Sequence, residues 1–265
     1  MKNFLNNRST DVWRIQHEVA GKSLRDFLWL YNEWIFPNKP SDFKDKTILD
    51  AGSGPGIQIE MYAHFAKRVV AVDLEAIATS RNSDTLRFTN IEFVQDNISN
   101  MWLGESFDVV NCVGVIHHTD APSVTFKNLE RHLKSGGRMI IWAYAKEGNF
   151  LMERFVEPIR KRFLADAEHS RILVIARVLT FLLYPIVYSF YLLPLVRLPY
   201  SGYFANFRRL SFERNVMNVY DKLNAPQQHF IPRKTIEDWF DPSRYSDVYI
   251  EHYAGVSWRA SGTKL

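Results

Sequence analysis

The stretch ILDAGSGPG, residues 48–56, constrains this chain more than any other. Thr47 to Ala51 is a short apolar run carrying one acid, Asp50, near its end, and it reads as a buried strand. Glycines 52, 54 and 56 follow in alternation. Residues without a Cβ turn the backbone tightly and let a ligand approach closely, where side chains would collide or demand a forbidden φ. A helix is expected next, from about Ile57 to Phe65, with free N–H groups at its start that favour a carboxylate or phosphate.

The αβ unit so defined repeats. Arg68 to Val72 is a second apolar strand ending at Asp73, and a helix is expected around Glu75 to Arg81. Strands at Ile91 to Gln95 and Phe107 to Val113, a helix at about Ala121 to Leu133, a turn at Lys134 to Gly137 and a strand at Arg138 to Ala145 complete the alternation. Strands and helices alternating at this spacing imply a parallel sheet covered on both faces. Such sheets bind ligands at the carboxyl ends of their strands, which brings the glycine turn, Asp73, Asp96 and the stretch after Val113 to one edge.

Residues 10–36 suit two short amphipathic helices broken near Gly21 and closed by Pro37 and Pro40. At the other end a helix is expected at about Thr235 to Phe240. Two extended runs follow, Asp247 to Tyr253 and Val256 to Thr263, and with only Ala254 and Gly255 between them they read as an antiparallel hairpin.

A glycine-rich turn after a strand serves a dinucleotide as readily as S-adenosylmethionine. The dinucleotide fingerprint requires glycine three residues after Gly54, where this chain has Ile57. Taken in order, ILDAGSGPG (48–56), VVAVDLE (69–75), FVQDNI (93–98), FDVVNCVGVIHHTDAP (107–122) and LKSGGRMIIWAY (133–144) resemble the successive motifs of class I S-adenosylmethionine-dependent methyltransferases, closest to the ubiquinone and small-molecule branch.

The resemblance implies an α/β fold: a Rossmann-like, doubly wound, seven-stranded, mostly parallel sheet with an antiparallel C-terminal hairpin and a helical insertion. It implies an N-terminal helical cap over 1–40, a cofactor-binding core over 41–145, an insertion or lid over 146–230, and a helix and hairpin completing the core over 231–265. The cofactor implied is S-adenosylmethionine, leaving as S-adenosylhomocysteine.

Cofactor contacts are implied for Asp50, Gly52, Ser53, Gly54, Gly56, Asp73, Leu74, Asp96, Asn97, Ile98 and Val113. Asp73 can accept both ribose hydroxyls through its two oxygens. Asp96 corresponds to the family residue that accepts from the adenine amino group, flanked by Asn97 and Ile98. Asp50 ends a buried strand, where a carboxylate needs a cationic or amide partner; in the family that region faces the methionine moiety.

His117 and His118, just after the fourth strand, lie where the family places substrate-facing residues. Histidine suits proton abstraction near neutrality, which an acceptor hydroxyl requires. Tyr144, Gln228 and His229 are the candidates for substrate contact, with Asp221 in the same aromatic setting. No metal is expected. A binding module without turnover, and a nicotinamide-dependent oxidoreductase, are the competing readings.

Composition adds bounds. The single cysteine, Cys112, and a start without the pattern of a signal peptide lead to a cytoplasmic expectation. The net charge of +4 is concentrated: residues 154–214 hold ten Lys and Arg against four Asp and Glu. These cations interleave with aliphatic runs rather than forming a solvated stripe, so nucleic acid is not an expected partner.

Between Arg177 and Arg197 lie 19 uncharged, largely apolar residues, Val178 to Val196, near the length that crosses a bilayer. Pro185 and Pro194 oppose a crossing. Two readings stand. One is a membrane-surface helical hairpin with Arg160, Lys161, Arg162, Arg171, Arg177, Arg208 and Arg209 near anionic head groups. The other, favoured from sequence, is a lid or a contact in a homodimer. Both point to a hydrophobic or lipid-linked small-molecule acceptor.

Overall fold

The computed structural model describes residues 28–74, 87–164, 167–193 and 198–265. Residues 10–27 of the two helices expected over 10–36, the helix expected around 75–81, and Pro194 to Val196 of the apolar run lie outside them. The chain falls into two units, one comprising residues 28–144, 227–251 and 258–265, the other 145–226 and 252–257 within the described residues.

The first unit is built on strands β1 (Thr47–Ala51), β2 (Arg68–Asp73), β3 (Ile91–Gln95), β4 (Phe107–Val113) and β5 (Leu133–Tyr144), joined by β6 (Tyr245–Tyr253) and β7 (Ser257–Lys264) in the spatial order β3-β2-β1-β4-β5-β7-β6. The first five run parallel, with Asp50 opposite Ala71 on one side and Asn111 on the other. Strands β1, β2 and β4 are buried along nearly their whole length, because both faces of a central parallel strand are covered. Edge strand β3 is only partly buried.

Chain order reverses between β1 and β4, which is the switch point where ligands of open sheets bind. Helix α1 (Leu28–Ile35), expected within an N-terminal cap, packs Tyr31 and Ile35 on a core that includes Phe43, Ile48, Tyr62, Val69 and Val109. Each such aliphatic side chain withdrawn from water contributes roughly 1.5–3 kcal/mol.

Two local expectations are corrected. Ile57 to Phe65 does not form an α-helix: Ile57–Met61 winds more tightly, as a 3-10 turn, and ends where Tyr62 leaves the helical region at φ −132°. The turn at Lys134 to Gly137 is a bulge inside β5, since the register passes from Phe107 opposite Leu133 to Val109 opposite Arg138. The apolar run from Val178 is helical as far as Val187. Helix α4 (His169–Val187) starts well before it, accommodates Pro185 in its last turn and stops two residues later.

The hairpin is as expected. Ala254 (φ 54°) and Gly255 (φ 73°) both take left-handed conformations, the requirement of a two-residue turn whose twist matches its strands. Lys264 donates to the Leu133 carbonyl and Arg138 to Ser261, so β7 runs antiparallel to β5.

In the second unit a wide helical winding over residues 152–164, with the α-helical turn α3 (Glu157–Ile159) at its middle, precedes α4. Two further helices follow, α5 (Ser201–Phe207) and α6 (Phe212–Asn224), the latter N-capped by Ser211, which accepts from the Arg214 N–H. Ile172 and Ala176 of α4 pack on Val216, Met217 and Tyr220 of α6. Beneath them the buried Arg160 guanidinium holds Glu157 at 2.9 Å and donates to the Ala225 carbonyl. The last helix of the first unit is α7 (Arg233–Trp239).

Candidate functional site

The glycine turn is stiff because its own amides are used. The N–H groups of Gly52 and Ser53 donate to the Val72 carbonyl at 2.8 and 3.1 Å, that of Gly56 to Ser53, and that of Gly54 to the Asp73 carboxylate at 2.8 Å. These four turn amides face inward. Gly52 has φ +83°, and a Cβ there would lie 2.4 Å from Val115.

Three acids stand at the carboxyl ends of three adjacent strands. Asp50 is fully buried near the end of β1; the Asn111 amide donates to it at 2.7 Å and the Gln58 amide at 3.3 Å. Burial pushes its carboxyl up to about 6, against the Asn111, Tyr62 and Gln58 groups that favour the ionised form. Asn111 Oδ1 is buried without a hydrogen-bond partner among the described residues. Asp73 ends β2, and its carbonyl accepts from the Asp96 N–H at 3.0 Å.

Asp96 follows β3 and accepts from the Asn97 N–H at 2.7 Å, while Asn97 accepts from Ser99 at 2.9 Å. The buried Asn128 of helix α2 (Pro122–Arg131) clamps this loop, donating to the Ile98 and Met101 carbonyls. Leu74 follows β2 and Val113 ends β4, both half-buried, and Ser53 is buried in the turn. The set fits a cationic adenosine ligand: carboxylates for ammonium, diol and amine, and an orphaned amide oxygen beside the deepest of them.

His117 and His118 form a short turn after β4, and the structure separates them. His117 is 1% exposed, its ring 4.1 Å from that of Tyr144 and 4.2 Å from that of His118. His118 is half-buried with Nδ1 2.9 Å from the Gln227 carbonyl. A carbonyl only accepts, so Nδ1 carries the proton, and the neutral form of the ring has its lone pair on Nε2. Gln227 also donates to the His118 carbonyl at 2.9 Å and to Asp120 at 2.7 Å.

The loop before α7 is tied to this point. The His229 N–H donates to the His117 carbonyl at 2.8 Å and the Ile231 N–H to that of Tyr144 at 2.9 Å, with Phe230 stacked over Tyr144. Gln228 Oε1, His229 Nε2 and Trp142 Nε1 are buried without hydrogen-bond partners among the described residues. Buried polar atoms of this kind call for an explanation, and a ligand supplies one. Asp221 lies on α6 in the other unit.

Sequence reasoning missed Gln58, Asn111, Trp142 and Gln227. Asn111 alone left a signal, since strands β1 and β4 paired in register place it opposite Asp50.

Residues 49–141 match the family described as Methyltransferase domain. Over 104 residues the chain is 30% identical to the mitochondrial ubiquinone biosynthesis O-methyltransferase of Schizosaccharomyces pombe, covering 37% of this chain and 38% of that protein. Over 119 residues it is 32% identical to an uncharacterized protein of Synechococcus, covering 42% and 28%. The tRNA U34 carboxymethyltransferase of Alteromonas mediterranea is 28% identical over 118 residues, 41% of this chain and 36% of that one. The chain thus spans well under half the length of these relatives.

Among solved structures, DhpI in complex with SAH superposes with TM-score 0.60 at 11% identity, covering 100% of this chain and 98% of that one. Magnesium protoporphyrin IX methyltransferase from Synechocystis PCC 6803 with bound SAH gives 0.54 at 12%, covering 99% and 97%.

Proposed function

We propose that this chain is a class I S-adenosylmethionine-dependent methyltransferase, a reading supported by the match of residues 49–141 to the family described as Methyltransferase domain, and that it methylates an oxygen, nitrogen or carbon on a hydrophobic or lipid-linked small molecule. One observation carries the cofactor half: Asp50, Asp73 and Asp96 stand in strand order along the switch-point edge, around a turn that places Gly54 on Asp73. S-adenosylmethionine, when bound, supplies a methyl group made electrophilic by its sulfonium.

The chain's own residues do the rest. Asp73 orients the ribose, Asp96 receives the adenine amino group, and the Asp50–Asn111 pair takes the methionine ammonium. His118 is the base: with Nδ1–H held on Gln227, Nε2 takes a proton from an acceptor hydroxyl as that oxygen attacks the methyl. Gln228, His229 and Trp142 supply polar contacts for the acceptor. Holding both reactants in line and excluding water accounts for most of the acceleration. Support for a hydrophobic acceptor comes from the aromatic rings of Trp142 and Tyr144 around His117, with Phe230 stacked on Tyr144.

Titration calorimetry with S-adenosylhomocysteine tests the cofactor site. Transfer of labelled methyl to a panel of phenols, quinols and amines tests turnover. Micromolar binding with no transfer to any acceptor would leave a cofactor-binding module in place of an enzyme.

A further inference from the structure

In the second unit, α4 buries one stripe and shows the other. Ile172, Ala176, Thr180 and Val187 face inward, whereas Val174, Val178, Phe181 and Leu182 are 52–68% exposed. The helix has the length and apolarity of a membrane span, and most of it is exposed. A second apolar row precedes it. Leu151, Phe155, Ile159 and Phe163, at intervals of four, are exposed along the wide winding, with Phe163 at 71%. Soluble chains rarely leave apolar surface of this extent uncovered.

A crossing is excluded by what α4 packs on. Its buried stripe runs along α6, a helix carrying Glu213, Arg214, Asn218, Asp221 and Lys222. Arg177, midway along α4, pairs with Glu213 at 2.7 Å. Hydrocarbon around α4 on all sides would have to take in those charges. A helix held on a polar partner by one face and apolar on the other lies along an interface.

Charge selects the occupant. Lys161 and Arg162 flank Phe163, Arg171 and Arg177 stand on α4, and Arg208 and Arg209 follow α5, while residues 154–214 hold only four acids. Cations bordering an apolar face fit anionic lipid head groups above acyl chains better than they fit a second copy bearing the same cations. Phe181, Tyr184, Pro185, Tyr188 and Phe212 line a shallow apolar depression on this face, and tyrosines at such a margin suit a surface apolar on one side and wet on the other.

We propose that the exposed face of α4, with the Leu151–Phe163 row, docks the chain on an anionic phospholipid bilayer without crossing it. The inference stands independently of methyl transfer. Flotation of the full chain with phosphatidylcholine vesicles, and with vesicles containing roughly a third phosphatidylglycerol, tests it. The expected result is co-flotation with the anionic vesicles only, weakened by salt and released by alkaline carbonate.

The double variant Phe181→Asp, Leu182→Asp, both positions exposed, should bind these vesicles about tenfold more weakly with circular dichroism and thermal melting unchanged. Wild type staying at the bottom with both vesicles, or a variant floating as well as wild type, overturns the proposal. So does carbonate-resistant insertion, or a wild-type dimer that the variant dissociates.

Discussion

Asn111 donates to Asp50 at 2.7 Å across the β1–β4 seam, where the two residues stand opposite each other in register. The pair binds the switch point together, and it holds a carboxylate at 2% exposure in a place where an unpaired charge would be prohibitive.

Asp50 should leave a pH signature on stability. Its folded pKa of about 6 exceeds the unfolded value near 3.9, so the folded chain binds the proton more readily. Its contribution is therefore most favourable below about pH 4 and is lost as pH rises through about 6, a change of roughly 3 kcal/mol. Urea denaturation across that range should show the loss in wild type and a flat difference for Asp50→Asn. Parallel curves for the two proteins would contradict the assignment.

Asp73 carries two duties, the Gly54 N–H and the expected ribose. Asp73→Ala should abolish measurable S-adenosylhomocysteine binding by calorimetry and cost about 1–3 kcal/mol through the orphaned amide. Asp73→Asn keeps an acceptor for Gly54, so it should recover stability but not affinity.

Gly52→Ala sets a side chain against Val115 at a φ of +83°. Backbone strain of about 1–3 kcal/mol plus the collision should lower Tm by many degrees in a thermal melt. Gly104, with open space around it, has no collision and should pay only the strain.

His118→Ala and His117→Ala should part company. Loss of a positioned base lowers methyl transfer about 10²–10⁴-fold and removes the acidic limb of the pH–rate profile, with cofactor affinity intact. His117, buried among His118, Trp142 and Tyr144, should reveal itself mainly in Tm.

Arg160→Ala leaves Glu157 buried with, among the described residues, only Lys161 at 3.3 Å and strips the Ala225 carbonyl of the Arg160 donor. Removing one member of a buried pair costs about 3–5 kcal/mol, so the helical unit should melt early by far-ultraviolet circular dichroism.

The amino-acid sequence by itself determined the order of strands and the acids that end them. Buried parallel strands read as apolar runs of Val and Ile, and glycines in alternation demand a turn, so ILDAGSGPG and the runs ending at Asp73 and Asp96 are local signals. Tertiary structure decided which groups those acids meet. Gln58 and Asn111 reach Asp50 from a turn and a strand eight and sixty-one residues away, and Gln227 reaches His118 across 109. Whether Val174 to Leu182 would be core or surface was equally a tertiary matter: an amphipathic period says that one face is buried, and only packing against α6 selects the face. Hydrogen bonds and burial depend on distance in space, which residue spacing along the chain does not encode beyond a helical turn or a paired strand.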